Sequence, residues 1–374
     1  MEAENNIVIA GGGLAGLICA IHLKKCGHAV IVIEKNTYPH HKVCGEFISN
    51  EVWSYLTYLG IDILALDATK ISRLTISTAS GTKAHAKLPL GGFGISRYLF
   101  DNLLYEHAVN EGCKVVFDRV VSVNFHDDAF TIETAATGTL HSKILIGAFG
   151  KRSGLDKQLK RKFITRKSPW LAVKAHYTGS FPDDLVELHH FKGGYCGVSK
   201  VENNRINICY LTDYNQFKKY RDLEEFEKGV LNGNPHLKKL LENCKMIFDA
   251  PITISQISFA KKEPVYDHIL MIGDTAGVIH PLCGNGMAMA IHSAKICAEL
   301  CDEYIKGIVV NRSELENKYS SSWKSNFSKR LFMGRILSAV VKKERFFKIL
   351  LHLMGKFQAL LPIIIRGTHG KPSI

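Results

Sequence analysis

The sequence predicts an α/β protein, α+β overall, on three observations. The N-terminus reads as a strand, a glycine turn, a helix and a second strand. The middle of the chain reads as alternating strands of an antiparallel sheet, and the last fifty residues are basic and rich in apolar clusters. In the first unit, residues 7–10 form a short apolar run that suits a buried parallel strand. Residues 14–26 have helical apolar spacing with Gly27 as a stop, and residues 29–33 form a second apolar strand closed by Glu34. Gly11, Gly13 and Gly16 fill the pattern G-x-G-x-x-G between strand and helix. The first permits the tight turn, the second lets backbone approach a pyrophosphate, and the third lets the helix pack on the strand. The helix then begins at Leu14 and Ala15 with free N–H groups and a positive dipole end, which attract phosphate. Glu34, with Lys35 after it, ends the second strand where a ribose hydroxyl would be bound. The unit is therefore expected to bind a dinucleotide.

The chain continues through a polar turn into Lys42-Val43-Cys44-Gly45-Glu46, with a helix expected over residues 50–59. Residues 73–77 and 83–88 alternate as a hairpin about Ser80-Gly81. A glycine-rich lead ends at Arg97, beside the start of a helix over residues 98–111. A cation there opposes the helix dipole, so Arg97 is expected to face an anion. Strands are expected at 114–117, 120–125, 129–133 and 141–146. The last ends in Gly147-Ala148-Phe149-Gly150-Lys151-Arg152-Ser153, at the strand end where open α/β sheets place ligands. Strands at 171–177, 186–191, 195–200 and 205–210 form the antiparallel layer. Helices follow at 222–231 and 235–241, and residues 252–259 return toward the first domain. A buried strand over 269–272 then delivers Asp274 to its tip. His280-Pro281-Leu282-Cys283-Gly284-Asn285-Gly286 turns into a small-residue helix reaching residue 304, and this turn is shaped to lie beside a planar ring.

Bulk properties limit the function classes. With 374 residues, 46% of them apolar, the chain can build a sizeable core and is not disordered. Its ten cysteines lack any C-x-x-C pair, and a short polar leader enters the first strand directly, so a cytoplasmic protein with reduced thiols is expected. No apolar run approaches the roughly 20 residues of a membrane span. Of the net charge of +13, the stretch 324–374 carries +10, with eleven Lys or Arg against Glu344 alone. That tail alternates basic residues with clusters such as Leu331-Phe332-Met333, Phe346-Phe347 and Ile363-Ile364-Ile365. It is expected to cap the substrate domain as amphipathic helices, with peripheral contact to an anionic membrane as a second expectation. No nucleic-acid module is present, so no nucleic-acid partner is expected. His40-His41 and His189-His190 lack a third ligand at useful spacing, so no metal site is expected. Cys297 and Cys301, on one helix face, are expected to pack in the core.

The three separated motifs, in this order over residues 7–304, resemble the FAD-dependent oxidoreductases of the para-hydroxybenzoate hydroxylase superfamily, nearest in appearance to the geranylgeranyl reductase-like branch. The resemblance implies a Rossmann-like FAD-binding domain at 1–72, 92–165 and 255–305. A substrate domain would occupy 73–91 and 166–254, and a basic helical region 306–374. It implies FAD as cofactor, its ADP half held by Gly11, Gly13, Leu14, Ala15, Gly16, Glu34 and Lys35. Arg97 would lie along the cofactor, Asp274 on its ribitol, and Pro281, Gly284, Asn285 and Gly286 beside the isoalloxazine. Cys44 and Glu46 match the branch's Cys-Gly-Glu segment at the flavin face, and Tyr195 would line the substrate side. Phe149 stands where the family usually has aspartate, which weighs against ordinary nicotinamide use. Gly194-Tyr195 lacks the Trp, Phe and Pro that follow in prenyl reductases.

The resulting expectation is an FAD-dependent monooxygenase acting on a hydrophobic small molecule, since a flavin supplies most of that chemistry and few protein catalysts need be visible. A saturating C=C reductase is the alternative, and a non-catalytic FAD-binding or electron-carrier protein is the rival from another class. The electron donor is expected to be NAD(P)H or a reduced protein carrier.

Overall fold

The structure, a computed structural model, describes residues 7–341, 343, 347–351, 353 and 360–372. Phe346 and part of the expected apolar and basic alternation of the tail lie outside the described residues. The chain begins with β1 (Ile7–Ala10), α1 (Leu14–Lys25), β2 (Val30–Glu34), β3 (Phe47–Ser49) and α2 (Trp53–Tyr58). It continues through β4 (Thr69–Ser77), β5 (Lys83–Gly94), α3 (Arg97–Asn110), β6 (Lys114–Phe117), β7 (Val120–His126), β8 (Ala129–Thr134), β9 (Thr139–Ser142), β10 (Ile144–Gly147) and α4 (Gly154–Gln158). Then come β11 (Trp170–Thr178), β12 (Leu185–Phe191), β13 (Gly194–Lys200), β14 (Ile206–Asp213), α5 (Tyr214–Phe217), α6 (Leu223–Gly229) and α7 (Pro235–Asn243). Short strands β15 (Lys245–Met246), β16 (Ile252–Ser255), β17 (Val265–Tyr266) and β18 (Ile269–Met271) precede α8 (Gly286–Ile305), α9 (Arg312–Val341) and a C-terminal helix, Leu360–Thr368.

Three sheets organise these elements. The first runs β17-β18-β10-β1-β2-β6, parallel throughout except for its β17 edge. Every residue of β1, β2 and β10 is buried, as expected of parallel strands covered on both faces. The second, nine-stranded sheet runs β15-β11-β14-β13-β12-β4-β5-β3, with β16 also on β11, and β7-β8-β9 form a small third sheet. The first and second sheets are the two layers that the N-terminal unit and the mid-chain alternation require.

Several expectations need correction. The single strand at 141–146 is two strands in different sheets, because Ser142 Oγ bonds both the N–H and the carbonyl of Ile144 and breaks the run at exposed Lys143. Residues 252–255 pair with β11 in the large sheet rather than returning directly to the first. The large sheet also takes in Phe47–Ser49 and β4 from Thr69 onward, so the chain crosses between layers earlier than residue 73.

The C-terminal segments cover both layers. Along α9, Leu315, Tyr319, Trp323 and Phe327 are buried at four-residue spacing, one face of a helix. Tyr319 donates its hydroxyl to the Met271 carbonyl at 2.5 Å, fixing α9 on β18. Farther on, Leu351, Leu361 and Ile365 pack against Leu74 and Ala84 of the large sheet. The expected capping by the tail thus falls on β4, β5 and neighbouring β12.

Candidate active site

The glycines of the first turn divide by function once their surroundings are compared. A Cβ on Gly16 would lie 2.0 Å from the Gly11 carbonyl oxygen, and one on Gly11 would lie 2.4 Å from the Ala148 oxygen. Those two glycines make room for protein. Gly13 has ordinary extended backbone, with φ −79° and ψ −178°. A Cβ there would meet nothing closer than Lys42 Nζ at 3.7 Å and Arg97 Nη2 at 3.8 Å. The fold itself does not demand glycine at this position, whereas a ligand phosphate resting on the backbone does.

Two cations stand over that cradle and share one carboxylate. Arg97 donates to Asp101 through Nε at 2.6 Å and Nη2 at 2.7 Å, and Lys42 Nζ reaches Asp101 Oδ2 at 2.9 Å. The anion Arg97 was expected to face is thus first of all Asp101, one turn along α3. Burial opposes the Arg97 charge, but Asp101 outweighs it and raises the guanidinium pKa. Burial would likewise raise the Asp101 carboxyl, and Arg97 and Lys42 bring it below its ordinary value. Two cations against one carboxylate leave one positive charge facing the glycine turn, which suits a pyrophosphate. Glu34 accepts from Gly12 N at 2.8 Å and Asn36 N at 3.1 Å, and Tyr38 donates to the Gly12 carbonyl. A carboxylate has about four acceptor positions, so Glu34 braces the turn and keeps capacity for ribose hydroxyls.

A continuous cavity of about 730 Å³ starts between Glu34, Lys35 and Arg119 and passes Gly11, Gly13, Leu14 and Ala15. It then runs between Asp274 and the turn containing Pro281, Gly284 and Gly286, where Cys44 and Tyr195 also line it. Gly284 takes the left-handed conformation, φ 61°, that lets this turn fold tightly. Asn285 departs from expectation: its side chain is buried and donates to Glu51 at 2.9 Å, away from the cavity. Gly16, too, does not line the cavity and serves the packing of α1 on β1.

Glu46 is fully buried with φ 55°. Its Oε1 accepts from Lys174 Nζ at 2.5 Å and Arg97 N at 2.8 Å, and its Oε2 meets His176 Nε2 at 2.7 Å. Burial would raise its pKa, but Lys174 and His176 bring it below the ordinary value. Its carboxylate therefore anchors the 42–46 loop, and Cys44 of that loop lines the cavity. Tyr195 packs among Trp170, Ala172, Leu211 and Ile257; burial raises its pKa well above ordinary, so it stays a neutral phenol.

Sequence reasoning missed Lys42, Asp101, Lys174, His176 and Lys262. Lys262 Nζ donates to the carbonyls of Lys151 at 2.9 Å and Asp274 at 2.8 Å, joining the two loops that flank the cavity. Only Asp101, four residues from Arg97 on one helix face, left a local signal. The adjacent histidines do face opposite ways. His189 bonds Ser77 at 2.8 Å and Glu187 at 3.0 Å, while His190 meets the Phe347 ring. Ser77 and His189 are fully buried, Glu187 is partly buried, and Asn234 also donates to Ser77, so the cluster serves as a packing network. Among the described residues no group of three or more His, Cys, Asp or Glu is placed to hold a metal.

Comparison with known proteins identifies the family to which the chain belongs. The family model "FAD binding domain" matches residues 4–307. Menaquinone reductase of Mycobacterium tuberculosis is 22% identical over 393 aligned positions, covering 98% of this chain and 91% of that protein. Digeranylgeranylglycerophospholipid reductase of Methanosarcina acetivorans is 24% identical over 353, covering 90% and 84%. Among solved structures, the flavin-dependent brominase Bmp2 superposes with a TM-score of 0.80 at 17% identity, covering 97% of this chain and 94% of that one, which shows the shared fold.

Two outcomes follow from the geometry. Gly13→Val abolishes FAD uptake in a fluorescence titration while stability to urea changes by less than about 0.5 kcal/mol; Gly16→Val instead costs about 1–3 kcal/mol or more by overpacking. For Lys262, burial pulls the ammonium down to about 8 from 10.5, against the opposing carboxylates Asp156 and Asp274. Between those values the unfolded chain binds more protons, so stability rises with pH there, on the order of 3 kcal/mol in all. Denaturant unfolding at pH 8 and pH 10 shows that rise flattened in Lys262→Met.

Proposed function

The chain belongs to the FAD binding domain family and is an FAD-dependent oxidoreductase, and from that premise we propose that its substrate is a lipid bearing a long aliphatic chain, which it reduces at a carbon–carbon double bond. The observation that carries this reading is the aliphatic part of the cavity lining, where Leu74, Ile76 and Val186 from the large sheet pack with Leu350, Leu361 and Ile364 of the C-terminal segments. A chamber so lined gains about 25 cal/mol for each Å² of hydrocarbon it removes from water and offers little to a polar chain. The reductases of Mycobacterium tuberculosis and Methanosarcina acetivorans, whose names specify lipid substrates, support the same reading.

In this reading Gly13, Lys42 and Arg97 hold the pyrophosphate of FAD, Glu34 its ribose, Asp274 its ribitol, and the 281–286 turn borders its ring. Bound FAD would supply the two electrons of the reduction. Cys44, which lines the cavity, holds a proton for the double bond. Tyr195, neutral and buried, shapes the substrate side, and the aliphatic chamber keeps water away. The electrons come from NAD(P)H or a reduced protein carrier. Exposed Phe332, Ile336, Ile349 and Ile363 alternate with exposed Lys329, Arg335, Lys348 and Arg366, a surface suited to peripheral contact with an anionic bilayer holding the lipid. None of the described helices is long and apolar enough to cross a membrane.

Monooxygenation is the second reading, favoured by Gly194-Tyr195 standing without the Trp, Phe and Pro of prenyl reductases. One experiment separates the two. The flavin is reduced without oxygen and mixed with a polyisoprenoid lipid, and flavin absorbance and product mass are followed. Saturation requires anaerobic reoxidation and a product two mass units heavier. Reoxidation that waits for oxygen, with oxygen-18 entering the product, rejects saturation in favour of monooxygenation.

A further inference from the structure

Three segments distant in the chain meet on one buried carboxylate. Glu51 is 1% exposed. Its Oε1 accepts from Arg330 Nη1 of α9 at 2.8 Å. Its Oε2 accepts from Asn285 Nδ2 at 2.9 Å and from the backbone N–H of Gly370 at 2.7 Å. Arg330 Nη1 also reaches Asn285 Oδ1 at 3.4 Å, which closes a ring of hydrogen bonds.

Each partner belongs to a different part of the site. Asn285 sits between Gly284 and Gly286, both on the cavity wall in the turn beside the expected flavin ring. Arg330 is buried on α9. Gly370 follows the C-terminal helix, whose Ile365 and Thr368 line the cavity together with His369. The chain end is seated closely here: a Cβ on Gly370 would lie 2.2 Å from Arg330 Nη2 and 2.8 Å from Glu51 Oε1. Charge-assisted bonds sharing one acceptor in a buried setting do not act independently, since displacing one donor shifts the carboxylate that the others hold.

We propose that Glu51 is a positioning residue that couples FAD binding at the 281–286 turn to closure of the C-terminal helix over the cavity. FAD against the turn fixes Asn285, Asn285 holds Glu51, and Glu51 holds Gly370 and with it the end of Leu360–Thr368. By linkage the coupling is reciprocal, so a closed helix also tightens FAD binding. The inference rests on the reading of this turn as the border of the flavin.

Hydrogen exchange with and without FAD tests it on the full chain. In the wild-type protein FAD slows exchange of the Leu360–Thr368 amides by about tenfold, within the usual range of such couplings. In Glu51→Gln, whose amide turns a donor toward donors, FAD still binds by fluorescence titration and the slowing is lost. Gly370→Ala crowds the same node from the segment after the C-terminal helix and gives the same loss, so the test stands even if Glu51→Gln does not fold. Protection of the helix by FAD that is equal in wild type and variants overturns the proposal, as does wild-type protein that binds FAD with no change in the helix. A wild-type protein that takes up no FAD overturns the reading of the turn as well.

Discussion

The large sheet, the start of α3 and the 42–46 loop are joined at the carboxylate of Glu46. Lys174 and His176 project from β11 of the large sheet, the Arg97 N–H opens α3, and all three end on this acid inside the protein. Removing one partner of such a buried cluster strands charge in the interior and typically costs about 3–5 kcal/mol. What the cluster secures is the position of the loop before it. Lys42 reaches the phosphate cradle and Cys44 reaches the cavity because Glu46, held at φ 55°, cannot shift without unpairing Lys174. The glycine turn and the cavity lined by the 42–46 loop are therefore held together by an electrostatic joint, with apolar packing around it.

How much of this could be read from the sequence depends on distance along the chain. The glycine turn, β1, α1, β2 and Glu34 were legible because every signal lies within about one βαβ unit. That Asp274 and Pro281, Gly284 and Gly286 line one cavity was legible for the same reason, a strand and turn adjacent in sequence. Lys174 lies 128 residues from Glu46, and nothing in a β-strand pattern distinguishes an inward lysine paired with an acid from an outward one in water. Asn285 was misplaced because its amide finds Glu51, 234 residues away. The break at Lys143 escaped notice because Ser142 interrupts the strand through its side chain while the apolar pattern runs on.

The basic tail had two readings in sequence, a cap or a membrane contact, and the two faces of the C-terminal helices accommodate both. Leu361 and Ile365 turn inward onto Leu74 and Ala84, while Ile363 and Arg366 turn outward. Helical periodicity separates these faces, so one segment can wall the chamber and present a basic, apolar surface. The aliphatic part of the cavity thus forms where the large sheet meets the C-terminal segments, far away in sequence. Its aliphatic character comes from that juxtaposition, which no single stretch of the chain announces.

The proposed reading requires the aliphatic part of the cavity to open directly onto the flavin. Titrating the FAD-loaded protein with unbranched alcohols of increasing chain length, and following flavin absorbance and fluorescence, tests it most directly. The expected result is a saturable spectral change whose affinity rises with chain length, by about 0.8 kcal/mol for each added CH₂ until the chamber is full. A flavin spectrum indifferent to every chain length, yet perturbed by small polar aromatic acids, would contradict it.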